Sequence, residues 1–138
     1  KCKITINCTT SSEPEKTATI TLKNIHIQAE GVQSVQNATP IAISTGSSIF
    51  MILEGNNIIE SAYTHQAGYN KGIIEVNGNA SLTIKGEEGS KLTLINHSLH
   101  RNAIGGPNAT INIESGTIET NYGSIGGTNS RWCKNRHD

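Results

Sequence analysis

Nine side chains carry most of the recognition chemistry that this 138-residue sequence offers. Tyr63, His65, Tyr69 and Asn70 lie in SAYTHQAGYNK, His97, His100, Arg101 and Asn102 in NHSLHRN, and Tyr122 in NYG. Three of the five aromatic residues and three of the five His are among them. Sugar recognition sets aromatic rings against the apolar faces of pyranose rings and planar polar groups against hydroxyls, and Tyr, Asn, His and Arg supply both. The same residue types in long loops also pack those loops on a scaffold and satisfy backbone groups. Binding and loop packing are therefore both open readings of these nine residues. A metal site at His65, His97 and His100 is not expected, because no HxH or HExxH spacing occurs. No cofactor is expected either.

Catalysis has a weaker basis. Glycoside hydrolysis needs two carboxylates about 5 to 9.5 Å apart, depending on mechanism. Glu54, Glu60, Glu75, Glu114 and Glu119 fall on strand-like runs at spacings that read as solvated outward positions. A lyase would pair a base such as Arg101 or Lys71 with acidic Ca²⁺ ligands, but the only Asp is Asp138, which excludes a cage of Asp residues. The chain reads as a non-enzyme, with a polysaccharide lyase or hydrolase as the minor alternative.

Composition narrows the partners. Eleven basic and eleven acidic residues cancel, so no strong field draws in nucleic acid or an anionic membrane. No apolar run is long enough for a membrane span, and no signal peptide or initiator Met is present, so the chain reads as a mature or excised piece. Cys2, Cys8 and Cys133 allow at most one disulfide. Cys2 and Cys8 would stand roughly 20 Å apart on one extended strand, beyond bonding reach unless the segment folds back. Sequons at Asn7, Asn37, Asn79, Asn96 and Asn108 point weakly to an extracellular setting.

The elements that must position the nine residues come from an internal repeat. TATITLKN, SSIFMILEGN, ASLTIKGE and NATINIESG superimpose with Leu22, Leu53, Ile84 and Ile113 in one column, and Ile20, Met51, Leu82 and Ile111 in a second. A second apolar run follows each at 25–27, 57–59, 91–95 and 117–119. A third run closes each unit, with Ile43, Ile74, Ile104 and Ile125 as its inward column. Three short strands per coil, about four coils and alternating inward Ile and Leu predict an all-β, right-handed parallel β-helix, or β-solenoid. Two-residue hairpin signals are mostly absent, and VNGN at 76–79 sits where a coil needs a corner.

The predicted organisation is one domain over 1–138, with a partial coil or cap at 1–16, repeated coils at 17–127 and a tail or partial cap at 128–138. Both ends read as poorly capped, which favours a longer protein or end-to-end self-association. The outward columns of the first strand are expected to be Thr21, Ile52, Thr83, Asn112 and Thr19, Phe50, Ser81, Thr110. Phe50, Ile52 and Asn112 interrupt an ice-binding type of Thr array, and exposed Phe50 and Ile52 mark a contact with a neighbouring domain or subunit.

SLTIKGEEGSKLTL followed by AIGG, and TINIESGTIET followed by SIGG, resemble the β-solenoid repeats of secreted or cell-wall proteins of gut clostridia and their relatives, often labelled carbohydrate-binding domain proteins. In that family an LTI-x-G strand, a GxLxxxG strand and an AGIGG strand succeed one another. The resemblance spans Gly46 to Gly127. The first coil departs from it, with no Gly-Gly after Ile43. It implies a parallel β-helix, a secreted or cell-surface location and a glycan partner. The expected function is a non-catalytic carbohydrate-binding or adhesive module, with a structural stalk or filament subunit as the alternative. The long loops between the second and third strands should leave at one corner and gather the nine residues there.

Overall fold

The computed structural model describes residues 4–6, 17–28, 39–61, 72–96, 102–126 and 131–134. Over these residues the chain is all-β, and every strand pairing is parallel. The strands are β1 (Ile4–Ile6), β2 (Thr17–Lys23), β3 (His26–Gln28), β4 (Ile41–Ile43), β5 (Ser48–Glu54), β6 (Asn56–Glu60), β7 (Ile74–Val76), β8 (Ser81–Gly86), β9 (Lys91–Ile95), β10 (Ile104–Gly105), β11 (Thr110–Ile113), β12 (Thr117–Thr120) and β13 (Arg131–Lys134). They form three sheets, ordered β1-β4-β7-β10, β13-β11-β8-β5-β2 and β12-β9-β6-β3. From β1 to β12 the chain visits the sheets in strict rotation, so each return adds one strand to each sheet. Among the described residues no helix is long and apolar enough to cross a membrane.

Alternation of β-branched or Leu residues with Thr, Ser and Asn produces these strands, because a pleated strand sends successive side chains to opposite faces. In β5, Ile49, Met51 and Leu53 are buried while Phe50 is exposed. Ile41, Ile43, Ile74, Val76 and Ile104 of the first sheet, Leu82, Ile84, Ile111 and Ile113 of the second, and Ile27, Ile59, Leu92 and Leu94 of the third join one apolar cluster. The core therefore belongs to all three sheets at once. Each buried Ile or Leu side chain contributes about 1.5–3 kcal/mol.

Stacked tight turns connect the first sheet to the second. Ser47 N–H donates to Ser44 O at 3.1 Å, Ala80 N–H to Asn77 O at 2.9 Å and Ala109 N–H to Gly106 O at 3.4 Å. The third residue of each turn has positive φ: 77° at Gly46 and 58° at both Asn79 and Asn108. This is the type II pattern, which asks for Gly or Asn at that position and favours Pro before it, as at Pro107. The corner expected at VNGN is the middle turn of the three.

The register departs from the simple sequence superposition. Ile20 pairs with Met51 and Leu22 with Leu53 as expected, but Met51 pairs with Ile84, Ile49 with Leu82 and Leu53 with Gly86. The first sheet shifts in the same way, with Ile41 on Ile74 and Ile43 on Val76. The outward columns accordingly become Thr19, Phe50, Thr83, Asn112 and Thr17, Ser48, Ser81, Thr110, while Ile52 faces Lys85. A two-residue slip leaves every side chain on its own face, so periodicity alone does not detect it. Turn length fixes it instead. The turns before β5 and β8 are equally long, which carries one offset through both sheets. The corner after β8 then has four residues, Glu87 to Ser90, where the corner after β5 has Gly55 alone.

Candidate functional site

All four connections from the third sheet to the first leave and return in register. Gln28 pairs with Glu60, Glu60 with Ile95 and Leu94 with Thr120 on the departing side. Ile41, Ile74, Ile104 and Ile125 follow one another on the returning side. The roots of the loops thus share one corner. Tyr63, His65, Tyr69, Asn70, His97, His100 and Arg101 lie outside the described residues. Asn102 and Tyr122 are described, and both are at this corner.

The last connection, from Asn121 to Ser124, is held by its neighbours in the previous layer. Asn121 Oδ1 accepts the Asn96 N–H at 2.7 Å, and its Nδ2 donates to Asn96 O at 2.9 Å. Ser124 Oγ donates to Asn102 Oδ1 at 3.1 Å, and Ala103 N–H donates to Ser124 O at 2.8 Å. Within the turn, Tyr122 N–H donates to Asn121 Oδ1 at 2.9 Å and Thr120 Oγ1 to Tyr122 O at 2.6 Å. Tyr122 is 51% exposed, one of only two large exposed apolar or aromatic side chains among the described residues; the other is Phe50 at 43%. A fixed backbone carrying an exposed ring, with amide and hydroxyl groups beside it, can stack on a sugar face and bond its hydroxyls.

Sequence reasoning missed the polar column beneath this turn. Ser61 donates to Asn96 Oδ1 at 3.5 Å, and Asn96 is in turn clamped by Asn121. Ser61 and Asn96 are buried. The signal was available: each follows directly on the last residue of a third-sheet strand, in ESA, INHS and TNYG. Stacked polar residues there satisfy backbone groups where the chain leaves the sheet.

The strand carboxylates divide differently from expectation. Glu75 is buried, 8% exposed, and not a solvated outward residue. It stands in β7 between Ala42 and Gly105, which are also buried, so this outer stretch of the first sheet is covered. Glu54 meets Lys23 at 3.1 Å, Glu60 meets His26 at 3.9 Å and Glu119 meets Lys91 at 2.7 Å. In all three pairs the basic residue is in one layer and the carboxylate in the next. Among the described residues no three His, Cys, Asp or Glu side chains gather as a metal site would require.

Comparison of the chain with protein-family models, with curated proteins and with solved structures returned no match.

Proposed function

We propose that the chain is a right-handed parallel β-helix serving as a non-catalytic carbohydrate-binding or adhesive module of a secreted or cell-surface protein. The rotation of the chain through three parallel sheets supports the helix, and parallel crossovers are overwhelmingly right-handed. The single observation that carries the binding role is the exposed Tyr122 ring on a turn pinned by Asn96 and Asn102. The three longer loops root at the same corner and bring Tyr, His, Asn and Arg residues suited to sugars. A glycan array tests the reading. Binding to a defined glycan is expected, lost at least tenfold in Tyr122→Ala, Tyr69→Ala or Arg101→Ala with folding intact; absence of binding to every glycan sinks it.

A second reading, a stalk or filament subunit built by stacking coils end to end, is favoured by a different observation. The partly exposed members of the core cluster are Ala18, Ile20 and Ile25 in its first layer and Ile118 and Ile125 in its last. Apolar columns that fade at both ends suit burial against another layer. Concentration-dependent light scattering separates the two, since a strictly monomeric chain argues against stacking.

A further inference from the structure

We infer that the outer face of the second sheet is a separate binding face for an extended, uncharged β-1,4-linked glycan, lying across the strands with one sugar to a layer. The inference goes beyond the loop corner of the proposed function and uses neither Tyr122 nor the loops. It begins from the observed register. Thr17, Ser48, Ser81 and Thr110 stack as an unbroken hydroxyl column on β2, β5, β8 and β11, whereas the simple superposition breaks each Thr column with Phe50, Ile52 or Asn112. Ser81 Oγ donates to Ser48 Oγ at 3.0 Å, so these neighbouring hydroxyls polarise one another along the column. Thr19, Phe50, Thr83 and Asn112 form the next column, and in it the Phe50 ring is exposed.

Charge and size select the occupant. At none of these eight positions is the side chain charged; the register places Arg131 of β13 beyond Thr110, and Lys85 in the column beyond Thr83, opposite Ile52. The outer face of the third sheet differs, carrying His26, Glu60, Lys91 and Glu119, and that of the first is covered at Ala42, Glu75 and Gly105. The four strands present about 400 Å² at ordinary strand spacing and rise. A stable protein interface takes about 800 Å² from each partner, so this face is too small to hold a second copy or a neighbouring domain by itself. A narrow, neutral, hydroxyl-rich chain fits it. Pyranose rings joined β-1,4 run nearly straight and advance per sugar by close to the step of the sheet per strand, about 4.8 Å. Along the Phe50 column one ring stacks on Phe50, while sugar hydroxyls meet the Thr17 to Thr110 column at one side and the Asn112 amide at the end.

Calorimetric titration of the full chain with cello-oligosaccharides and N-acetylated chito-oligosaccharides of increasing length tests the assignment, with maltohexaose, whose α-links coil the chain, as the control. Affinity should climb up to four sugars, one for each of the four strands, and then level off. Maltohexaose should bind about tenfold more weakly or not at all, for want of the ring contact. Phe50→Ala should weaken the four-sugar ligand by about tenfold or more. Thr110→Val keeps the side-chain shape and removes one hydroxyl, and should weaken it by about threefold or more. Thermal unfolding of each variant separates lost binding from lost folding. Absence of binding, affinity that ignores length, equal binding of maltohexaose, or a folded Phe50→Ala or Thr110→Val chain that binds as before overturns the inference. Loss of this binding in Tyr122→Ala with Phe50→Ala unmoved also overturns it, and assigns the sugars to the loop corner of the proposed function. Loss in Phe50→Ala alone establishes this face whatever the glycan array shows for Tyr122.

Discussion

The side-chain Oδ1 of Asn57 accepts the backbone N–H of Ile25 at 3.1 Å, across 32 residues of sequence. Its Nδ2 is within reach of Glu54 O at 3.2 Å in its own layer and of Lys91 O at 3.4 Å in the next. One amide, 1% exposed, thus ties three layers together at the corner between the second and third sheets. Its interior position follows from the register, which stacks it on Leu92.

Replacing Asn57 by Leu keeps the branching at Cγ but strands the Ile25 N–H and removes the amide donor from Lys91 O. A buried polar group left without a partner costs about 1–3 kcal/mol. Urea unfolding of Asn57→Leu should show a loss in that range with an unchanged slope. A loss below about 0.5 kcal/mol would mean that water takes over the bonds.

Gly105 and Gly89 form an internal comparison. A Cβ built on Gly105, at φ 153°, would come 1.9 Å from Gly126 O, a backbone atom of the next layer, whereas at Gly89, at φ 76°, it meets nothing within 4 Å. Gly89→Ala should therefore cost only the left-handed backbone conformation, about 1–2 kcal/mol. Gly105→Ala must also separate two layers, adding about 1–3 kcal/mol or more of overpacking. Thermal unfolding should place Gly105→Ala well below Gly89→Ala; equal midpoints would show that the stack yields freely at Ile104 and Ile125.

The Lys91–Glu119 pair is short at 2.7 Å, but its side chains are 37% and 54% exposed. Exposed pairs of this kind contribute about 0.2–1 kcal/mol and are screened by salt. A double-mutant cycle with Lys91→Met and Glu119→Gln should give a coupling within that range at low ionic strength and near zero in molar salt. A coupling that survives molar salt would contradict this ranking.

The rotation through three sheets was legible because inward Ile and Leu recur in short runs, and the corner at Asn77 to Ala80 because Asn and Gly mark a positive-φ turn. The pairing of Met51 with Ile84 was not. Met51, Leu82 and Ile84 are all inward and apolar, so either pairing satisfies the pattern, and only the lengths of two distant corners decide between them. Burial of Glu75 was hidden for a related reason: strand alternation assigns a face but does not say whether that face is covered. Of the candidate site, Tyr122 and Asn102 were nominated by residue type. The Ser61, Asn96 and Asn121 column escaped because its role depends on layers 25 to 35 residues apart being stacked.

That stacking has its own test. Ser81 Oγ lies 3.0 Å from Ser48 Oγ, and the two residues are register partners. Adjacent strands place such partners about 4.8 Å apart at Cα, inside the range of about 4.4–6.8 Å that a disulfide spans. Phe50 and Ser81, partners in the simple superposition, are one diagonal step away at about 8 Å. With Cys2, Cys8 and Cys133 changed to Ser, the Ser48→Cys, Ser81→Cys chain should oxidise readily to an intramolecular disulfide, while Phe50→Cys, Ser81→Cys should stay reduced under the same mild oxidant. Preferential oxidation of the second pair would restore the simple superposition. It would also shift the inward columns, so that Leu53 rather than Met51 lies against Ile84.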